Sequence, residues 1–385
     1  MAWNWQQSDW PDFTWDPARL RKAEEHFLRG SGRFSGTLRH LAGVDQEQLA
    51  SEAIEAEALT TSEIEGEILD RASVQSSVRR QLGLATDRRR VRPAEQGIAE
   101  MMVNLHRTFS QSLSDDLLFG WHRMVTNGRQ DLENIGSYRA GTEPMQVVSG
   151  PIHLPKVHFE APPAAKVPKE MARFIKWFNR TAPAGREPMP AVTRAGVAHL
   201  YFESIHPFED GNGRIGRAIA EKALAQSAGR PTLTALAATI LTHWKSYYAA
   251  LEAANKENDL TRWLCWFAEI TLEGQRRTEV QVEFLIDKTR LLDRMRGQLN
   301  DRQEKALLRM LREGPAGFQG GLSAGNYVTI TGASPATATR DLADLVEKQA
   351  LIRRGELRHA RYAVALELRP VSAVKIDKNG NLRGV

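Results

Sequence analysis

The chain has 385 residues, 42% hydrophobic and 26% charged, which supports two or three globular domains and excludes a disordered or fibrous protein. No run approaches 18 apolar residues, and the start MAWNWQQSDW has neither the basic lead nor the apolar core of a signal peptide, so the expectation is a cytoplasmic protein without membrane contact. The formal net charge is +5; from Asp301 to Val385 there are 14 Lys+Arg against 9 Asp+Glu, so the whole excess lies at the end of the chain, where nucleic-acid binding is worth testing.

Trp3, Trp5, Trp10, Phe13 and Trp15 crowd the first fifteen residues, which predicts a segment wrapped onto a neighbouring domain. A helical DPARLRKAEEHFLRG follows. Asp45 to Leu69, rich in Glu, Ala and Leu, with apolar Leu49, Ala53, Ala56 and Leu59, predicts a helix ending near Gly66. TDRRRVRP, Thr86 to Pro93, reads as a solvated connection. The next helix carries Ile98, Met101, Met102, Leu105 and Phe109 on one face. Gly136 to Lys166 breaks the helical pattern: MQVV and KVHF between glycines and prolines predict a hairpin or flap. Helices resume, one with Val197, Leu200, Tyr201 and Ile205 on a stripe. Cys265, the single cysteine, excludes an intrachain disulfide and a cysteine-cluster zinc site and reads as a buried thiol.

Between Arg276 and Asn300, Leu285, Leu292, Met295 and Leu299 predict a linker helix. The remainder reads as three helices, EKALLRMLRE, SAGNYVTITGA and SPATATRDLADLVEKQAL, and a two-stranded wing, IRRGELRHARYAVAL. Ser334 suits an N-cap, Pro335 the first helical position, and Ala338, Leu342 and Leu345 a buried face. That is a winged helix-turn-helix pattern. The expected domains are residues 1–92, Trp-rich; 93–275, a core; 276–300, the linker helix; 301–366, the winged helix-turn-helix; and 367–385, a tail. The fold class is mainly α.

The chemistry concentrates in HPFEDGNGRIGR, His206 to Arg217. A helix ends by presenting a histidine, Pro207 stops it, and Phe208 anchors the loop to the core. Asp210 places a carboxylate four residues on. Gly211, Asn212 and Gly213 let the backbone curl so that consecutive N–H groups converge, and RIGRAIAEKALAQ continues as a helix whose N-terminus faces the same spot, an anion hole suited to phosphate. Arg214 and Arg217 lie on nearly one face of that helix and add cationic donors. Imidazole, hard carboxylate and phosphate cradle together describe phosphoryl or nucleotidyl transfer. No GxxxxGK[ST] occurs, so this is not a P-loop enzyme.

These twelve residues match the signature HPFx[DE]GN[GK]RxxR of the Fic family at every position, and the chain resembles that family from about Asp115 to Phe267. The resemblance implies an all-helical core with a short β-hairpin flap and transfer of AMP from ATP to a Ser, Thr or Tyr hydroxyl of a target protein, itself included. It implies His206 as the general base, Asp210 as the Mg²⁺ ligand, Asn212 and the Gly211 and Gly213 N–H groups at the α-phosphate, and Arg214 and Arg217 at the β- and γ-phosphates. Thr61-Ser62-Glu63-Ile64-Glu65-Gly66 looks like the family's inhibitory motif [ST]xxxE[GN], with Thr61, Glu65 and Gly66 at its fixed positions. A carboxylate brought to Arg217 would neutralise the donor meant for the γ-phosphate; without the signature, the same stretch would read as a solvated helix end.

Tyr247, Tyr248, Leu251 and Asn255 resemble the adenine-side wall. Tyr248, Leu251 and Asn255 share a helix face able to stack on and hydrogen-bond a base, and a core-facing stripe is the competing reading. Val147, Val148 and Ser149 correspond loosely to the target-docking hairpin. A homodimer that stabilises self-inhibition is implied by resemblance alone. Two alternatives stay open: the same site run backwards, with Glu65 positioning a water that removes AMP, or a DNA-binding regulator with a Fic-type sensor core. Arg353, Arg354, Arg358 and Arg361 on the wing and Arg340 on the third helix are where a winged helix meets phosphates, but Asp341, Asp344 and Glu347 oppose them, so DNA and protein partners are equally supported.

Overall fold

A computed structural model describes residues 2–39, 43–87, 89–151, 155–231, 234–318, 320–367 and 371–384. It is mainly α, and the chain divides into two compact units: residues 1–275 with 373–385, and residues 276–372.

The first unit contains α1 (Pro17–Arg39), α2 (Gly43–Ile64), α3 (Arg71–Gln81), α4 (Pro93–Thr108), α5 (Asp115–Val125), the strands β1 (Gln146–Ser149) and β2 (Lys156–Glu160), α6 (Val167–Arg180), α7 (Ala191–Ile205), α8 (Asn212–Ala228), α9 (Leu236–Thr242), α10 (Trp244–Ala254) and the start of α11 (Thr261–Met295). α7 is the axis of the core. Instead of one apolar stripe it is buried on every side, as befits a helix wrapped by α1, α6 and α8. Its polar residues are therefore placed among partners: the buried Arg194 guanidinium donates to the Phe178 carbonyl at 2.8 Å and the Gln226 side chain at 2.8 Å. The aromatic N-terminus lies on this core, with Trp10 and Phe13 edge-on to Tyr201 and the Trp5 indole donating to the Glu160 carbonyl at 2.6 Å.

α2 departs from the expected stripe. Leu49 is buried, but Ala53, Ala56 and Leu59 are only partly so, while Ile54, Ala58, Thr61 and Ser62 are buried with Glu55 and Glu57. The glutamates are tolerated inside because each finds a donor, Arg71 for Glu55 at 2.9 Å and the Ala237 N–H for Glu57 at 3.0 Å. β1 and β2 pair antiparallel, with Val147 opposite Phe159, Val148 opposite Val157, and an irregularity between the two valines. Among the described residues no helix is long and apolar enough to cross a membrane.

The segment expected as a separate linker helix is the second half of the 35-residue α11. The second unit adds α12 (Asp301–Leu311), α13 (Ala324–Thr331), α14 (Pro335–Glu347) and the hairpin β3 (Leu351–Arg354) with β4 (Arg361–Val364) around Leu307, Met310, Tyr327, Leu342 and Leu345. Asn300, Ser323 and Ser334 cap the three helices through their side chains. The end of the chain is more than a tail: β5 (Lys375–Ile376) and β6 (Leu382–Arg383) form a hairpin held to the first unit by Glu269, which accepts from the Ile376 N–H at 2.8 Å and Lys375 at 2.9 Å.

Candidate active site

α7 stops at His206, whose backbone is left-handed (φ 49°, ψ 60°), a conformation that a non-glycine residue holds only when its surroundings impose it. The imposing group is Arg139. Its guanidinium takes up carbonyls left over at the helix end, His206 O at 2.7 Å and Ile205 O at 3.4 Å, together with Pro162 O at 2.5 Å, and its own N–H donates to Pro207 O at 2.9 Å. Phe208 then enters the core, fully buried and stacked on His122 at 4.2 Å. The loop is closed by Asn212, which accepts from the Phe208 N–H at 2.9 Å and donates to the Phe208 carbonyl at 2.8 Å. The Asn212 side chain thus shapes the loop, and its backbone N–H lies at the first turn of α8.

Gly211 begins that turn at φ 81°, and a Cβ there would lie 2.8 Å from Val125. At the opened N-terminus of α8 sits a carboxylate. A Cβ on Gly213 would fall 2.1 Å from Glu65 Oε1, so the acid occupies the space that glycine leaves. Arg217 is buried and donates to Thr61 Oγ1 at 2.7 Å, to the Thr61 carbonyl at 2.8 Å and to Glu65 Oε1 at 2.8 Å. Gly66 (φ 81°) turns the chain immediately afterwards. Arg214 is held as well: it donates to Glu67 at 2.7 Å and approaches Asp210 at 3.4 Å. Asp210 in turn accepts from the Gly211 N–H at 2.5 Å and pairs with Arg129. Arg214, Arg217 and Asp210, the charged groups expected to cradle phosphate, are thus each paired within the chain.

The expected adenine wall is brought together only in part. Tyr248 is 42% exposed and its hydroxyl donates to the Ile64 carbonyl at the end of α2, at 3.1 Å; Leu251 is half-buried beside it. Tyr247 turns inward, its hydroxyl 2.9 Å from His199. Asn255 is also buried: its side chain accepts from Ser204 at 3.2 Å and its carbonyl from the Asn4 N–H at 2.7 Å. Tyr247 is packed between His199 and Trp266, and Asn255 is met by Asn4 of the N-terminal segment. In the flap, Val147 and Val148 are exposed on β1, an edge strand open for pairing. Ser149 is 2.6 Å from His158, which reaches Glu252 of α10 at 2.9 Å.

Burial, aided by the Arg139 charge, pushes the His206 imidazole down to about 4, so at neutral pH it is unprotonated and able to accept a proton. Glu203 lies one turn earlier, its Oε2 3.9 Å from His206 Nδ1. Burial and then Glu65 push Glu203 up to about 8 against the opposing pull of Arg217, so it is a neutral acid at pH 7. Burial alone would raise Asp210, but Arg214, the Gly211 N–H and Arg129 outweigh it and hold the carboxylate low. That is one hard oxygen ligand. Among the described residues no group of three or more His, Cys, Asp or Glu could hold a metal, so Asp210, here paired with Arg129, would offer Mg²⁺ one carboxylate and leave the rest of its shell to water and substrate oxygens.

Sequence reasoning missed Arg129, Arg139, Glu203 and Glu67. Glu203 carried a signal, a lone acid in the otherwise apolar VAHLYFESI one turn before the histidine. Glu67 lay just beyond the quoted inhibitory motif. Arg129 and Arg139 carried none, since the groups they meet in the site, Asp210 and the His206 carbonyl, lie 81 and 67 residues away.

Residues 112–224 match the Fic/DOC family and residues 3–84 match DUF4172, a domain of unknown function. Protein adenylyltransferase fic-1 of Caenorhabditis briggsae is 29% identical over 87 residues, 23% of this chain and 16% of that protein. Probable protein adenylyltransferase aq_aa38 of Aquifex aeolicus is 32% identical over 69 residues, 18% of this chain and 20% of that protein. The chain spans a fifth or less of the length of these relatives. A crystal structure of a Fic family protein from Desulfovibrio desulfuricans G20 superposes with a TM-score of 0.52 at 20% identity, covering 94% of this chain and 99% of that one, which shows the fold. With the signature complete from His206 to Arg217, residues 112–224 of this chain are a Fic/DOC-family domain.

Proposed function

We propose that this protein is a self-inhibited adenylyltransferase that moves AMP from ATP to a hydroxyl of a target protein. The observation that carries the reading is the Glu65 carboxylate at the N-terminus of α8, bonded to Arg217: the site already holds an anion where a phosphate belongs. His206 Nε2 or Nδ1 takes the proton of the target hydroxyl, the freed oxygen attacks the α-phosphorus, and the α–β bridging P–O bond breaks to release pyrophosphate. The N–H groups at the first turn of α8 and the two arginines stabilise the charge that accumulates on the phosphates. Asp210 would hold Mg²⁺, which would supply charge neutralisation for the departing pyrophosphate. An extended target segment pairs with β1 beside Val147, Val148 and Ser149 and so carries its hydroxyl toward His206. Tyr248 and Leu251 form the adenine side.

Inhibition follows from the same contacts. Until α2 moves, Arg217 and Arg214 are engaged by Glu65 and Glu67, and triphosphate binds unproductively. Incubation with ATP labelled in the α-phosphate, followed by intact-mass measurement, tests this. Glu65→Gly gains label corresponding to AMP, and Glu65→Gly with His206→Ala gains none. Equal label in both proteins, or none in either with folding intact, overturns the proposal.

A further inference from the structure

The contact between Glu65 and Arg217 joins α2 to α8, and one turn deeper along the same two helices stand two buried acids. Glu57 precedes Thr61 by one turn on α2, and Glu221 follows Arg217 by one turn on α8. Glu57 Oε2 accepts from the Ala237 N–H at 3.0 Å, while Oε1 is buried with no hydrogen-bond partner among the described residues. Glu221 Oε1 accepts from the Thr234 hydroxyl at 2.5 Å. A cavity of about 40 Å³ lies against both acids and is otherwise walled by His106 of α4 and apolar side chains such as Ile54, Leu105 and Phe109. That volume admits a water, so the acids can exchange protons, but the walls offer an ionised carboxylate little to bond.

The surrounding charges do not offset this. Burial and then the charge of Glu221 push the Glu57 carboxyl well above the usual carboxylate range, against smaller pulls from the Ala237 and Ala238 N–H groups and Arg217. Arg217 directs its donors to Thr61 and Glu65 instead. His106 is depressed by burial and then by Arg107, so it is neutral at pH 7 and adds no cation. Arg71 of α3 is engaged by Glu55, and α9 presents backbone N–H groups and no titratable side chain. Two carboxylates in such a place titrate as a pair that keeps a proton while the helices are together.

We propose that Glu57 and Glu221 form a pH-sensitive latch on the inhibited state: α2 stays docked on α8 while the pair holds a proton and is released as rising pH removes it. The latch rests on the reading of Glu65 as the inhibitory group. Its sign follows from linkage. The docked state binds a proton that a solvated Glu57 gives up above about 4.3, so docking is strongest below that value and weakens by up to tenfold per pH unit until the docked pair has titrated. His106 opposes this below about 6.5, because on release it gains the proton that burial denies it, so the net rise in release begins near pH 6.5 and extends lower in His106→Gln.

The test uses the full-length protein between pH 5.5 and 8.5. At each pH the initial rate of AMP self-labelling is divided by that of the Glu65→Gly protein, which cancels the titration of the catalytic base. In His106→Gln the ratio climbs with pH by up to tenfold per unit toward the Glu65→Gly level; adding Glu57→Gln, or Glu221→Gln, holds it low and flat, since an amide cannot ionise. Hydrogen exchange of the α2 amides, corrected for the chemical rate, reads the latch without catalysis: protection falls as pH rises in His106→Gln and stays constant once Glu57→Gln is added. Parallel curves with and without Glu57→Gln in proteins of equal melting temperature at pH 6, or α2 protection indifferent to pH, overturn the latch. Failure of Glu65→Gly to gain label overturns the enzymatic reading instead, and the exchange measurement still decides the latch.

Discussion

Arg217 receives three acceptors from the end of α2, and Glu65→Gly removes one of them while leaving both Thr61 contacts at 2.7 and 2.8 Å. A hydrogen bond to a charged group contributes about 1.5–3 kcal/mol; since Glu65 is one-third exposed, the lower part of that range applies. At about 1.4 kcal/mol per tenfold, a loss of about 1.5–2 kcal/mol raises productive ATP binding, and AMP transfer at subsaturating ATP, by about 10–30-fold. Glu67→Gln removes the charge that engages Arg214 but keeps a hydrogen-bond acceptor, so its gain is smaller, about 2–5-fold, from about 0.5–1 kcal/mol. Both acids lie just past the end of α2 and move with it, so the double variant exceeds either single one. Initial rates of self-labelling across an ATP series give the effect as a lower KM for ATP. The variants also leave a buried guanidinium less compensated, so MgATP raises their melting temperature more than that of the wild type. A Glu65→Gly rate within twofold of wild type in a folded protein would show that the carboxylate does not compete with phosphate.

Burial holds His199 near 4, whereas an unfolded histidine titrates near 6.5. The unfolded chain therefore binds more protons between those values, and the associated stability is complete above 6.5 and lost as pH falls through 4; around pH 5 the slope from this residue is about 1 kcal/mol per pH unit. Urea midpoints of wild type and His199→Gln from pH 7 to 4.5 check this: the variant shows the shallower decline, and parallel curves refute the assignment. Arg139→Met frees the carbonyls of Ile205, Pro162 and His206, so the His206 backbone relaxes from its left-handed conformation and kcat falls at least tenfold with little change in KM for ATP, read in the Glu65→Gly background. Asp210→Asn in that background abolishes the Mg²⁺ dependence of labelling along with most of the rate, while Arg129→Ala lowers the Mg²⁺ concentration needed for half-maximal rate because the ion no longer competes with a guanidinium. Phe208→Ala destabilises the fold by about 3–5 kcal/mol, measured by urea unfolding, since the ring is fully buried on His122.

The reach of the sequence follows from distance along the chain. His206, Pro207, Phe208, Asp210, the glycines and the two arginines lie within twelve residues, so the helix end, the turn and the next helix N-terminus are fixed by local backbone preferences and can be read directly. Helix identity was equally local; helix faces were less so, because α2 and α7 are buried on sides that an apolar count does not reveal. The partners of long side chains were decided by packing. Arg217 meets Thr61 across 156 residues, Arg214 meets Glu67 across 147, and Arg139 meets His206 across 67. The same holds for Asn255, which Ser204 and Asn4 meet in the core, and for Asp341, which Arg302 and Tyr327 withdrew from the outer surface of α14. A carboxylate or guanidinium announces its charge in the sequence, but whether that charge faces solvent, a ligand or another residue depends on which element folds against it.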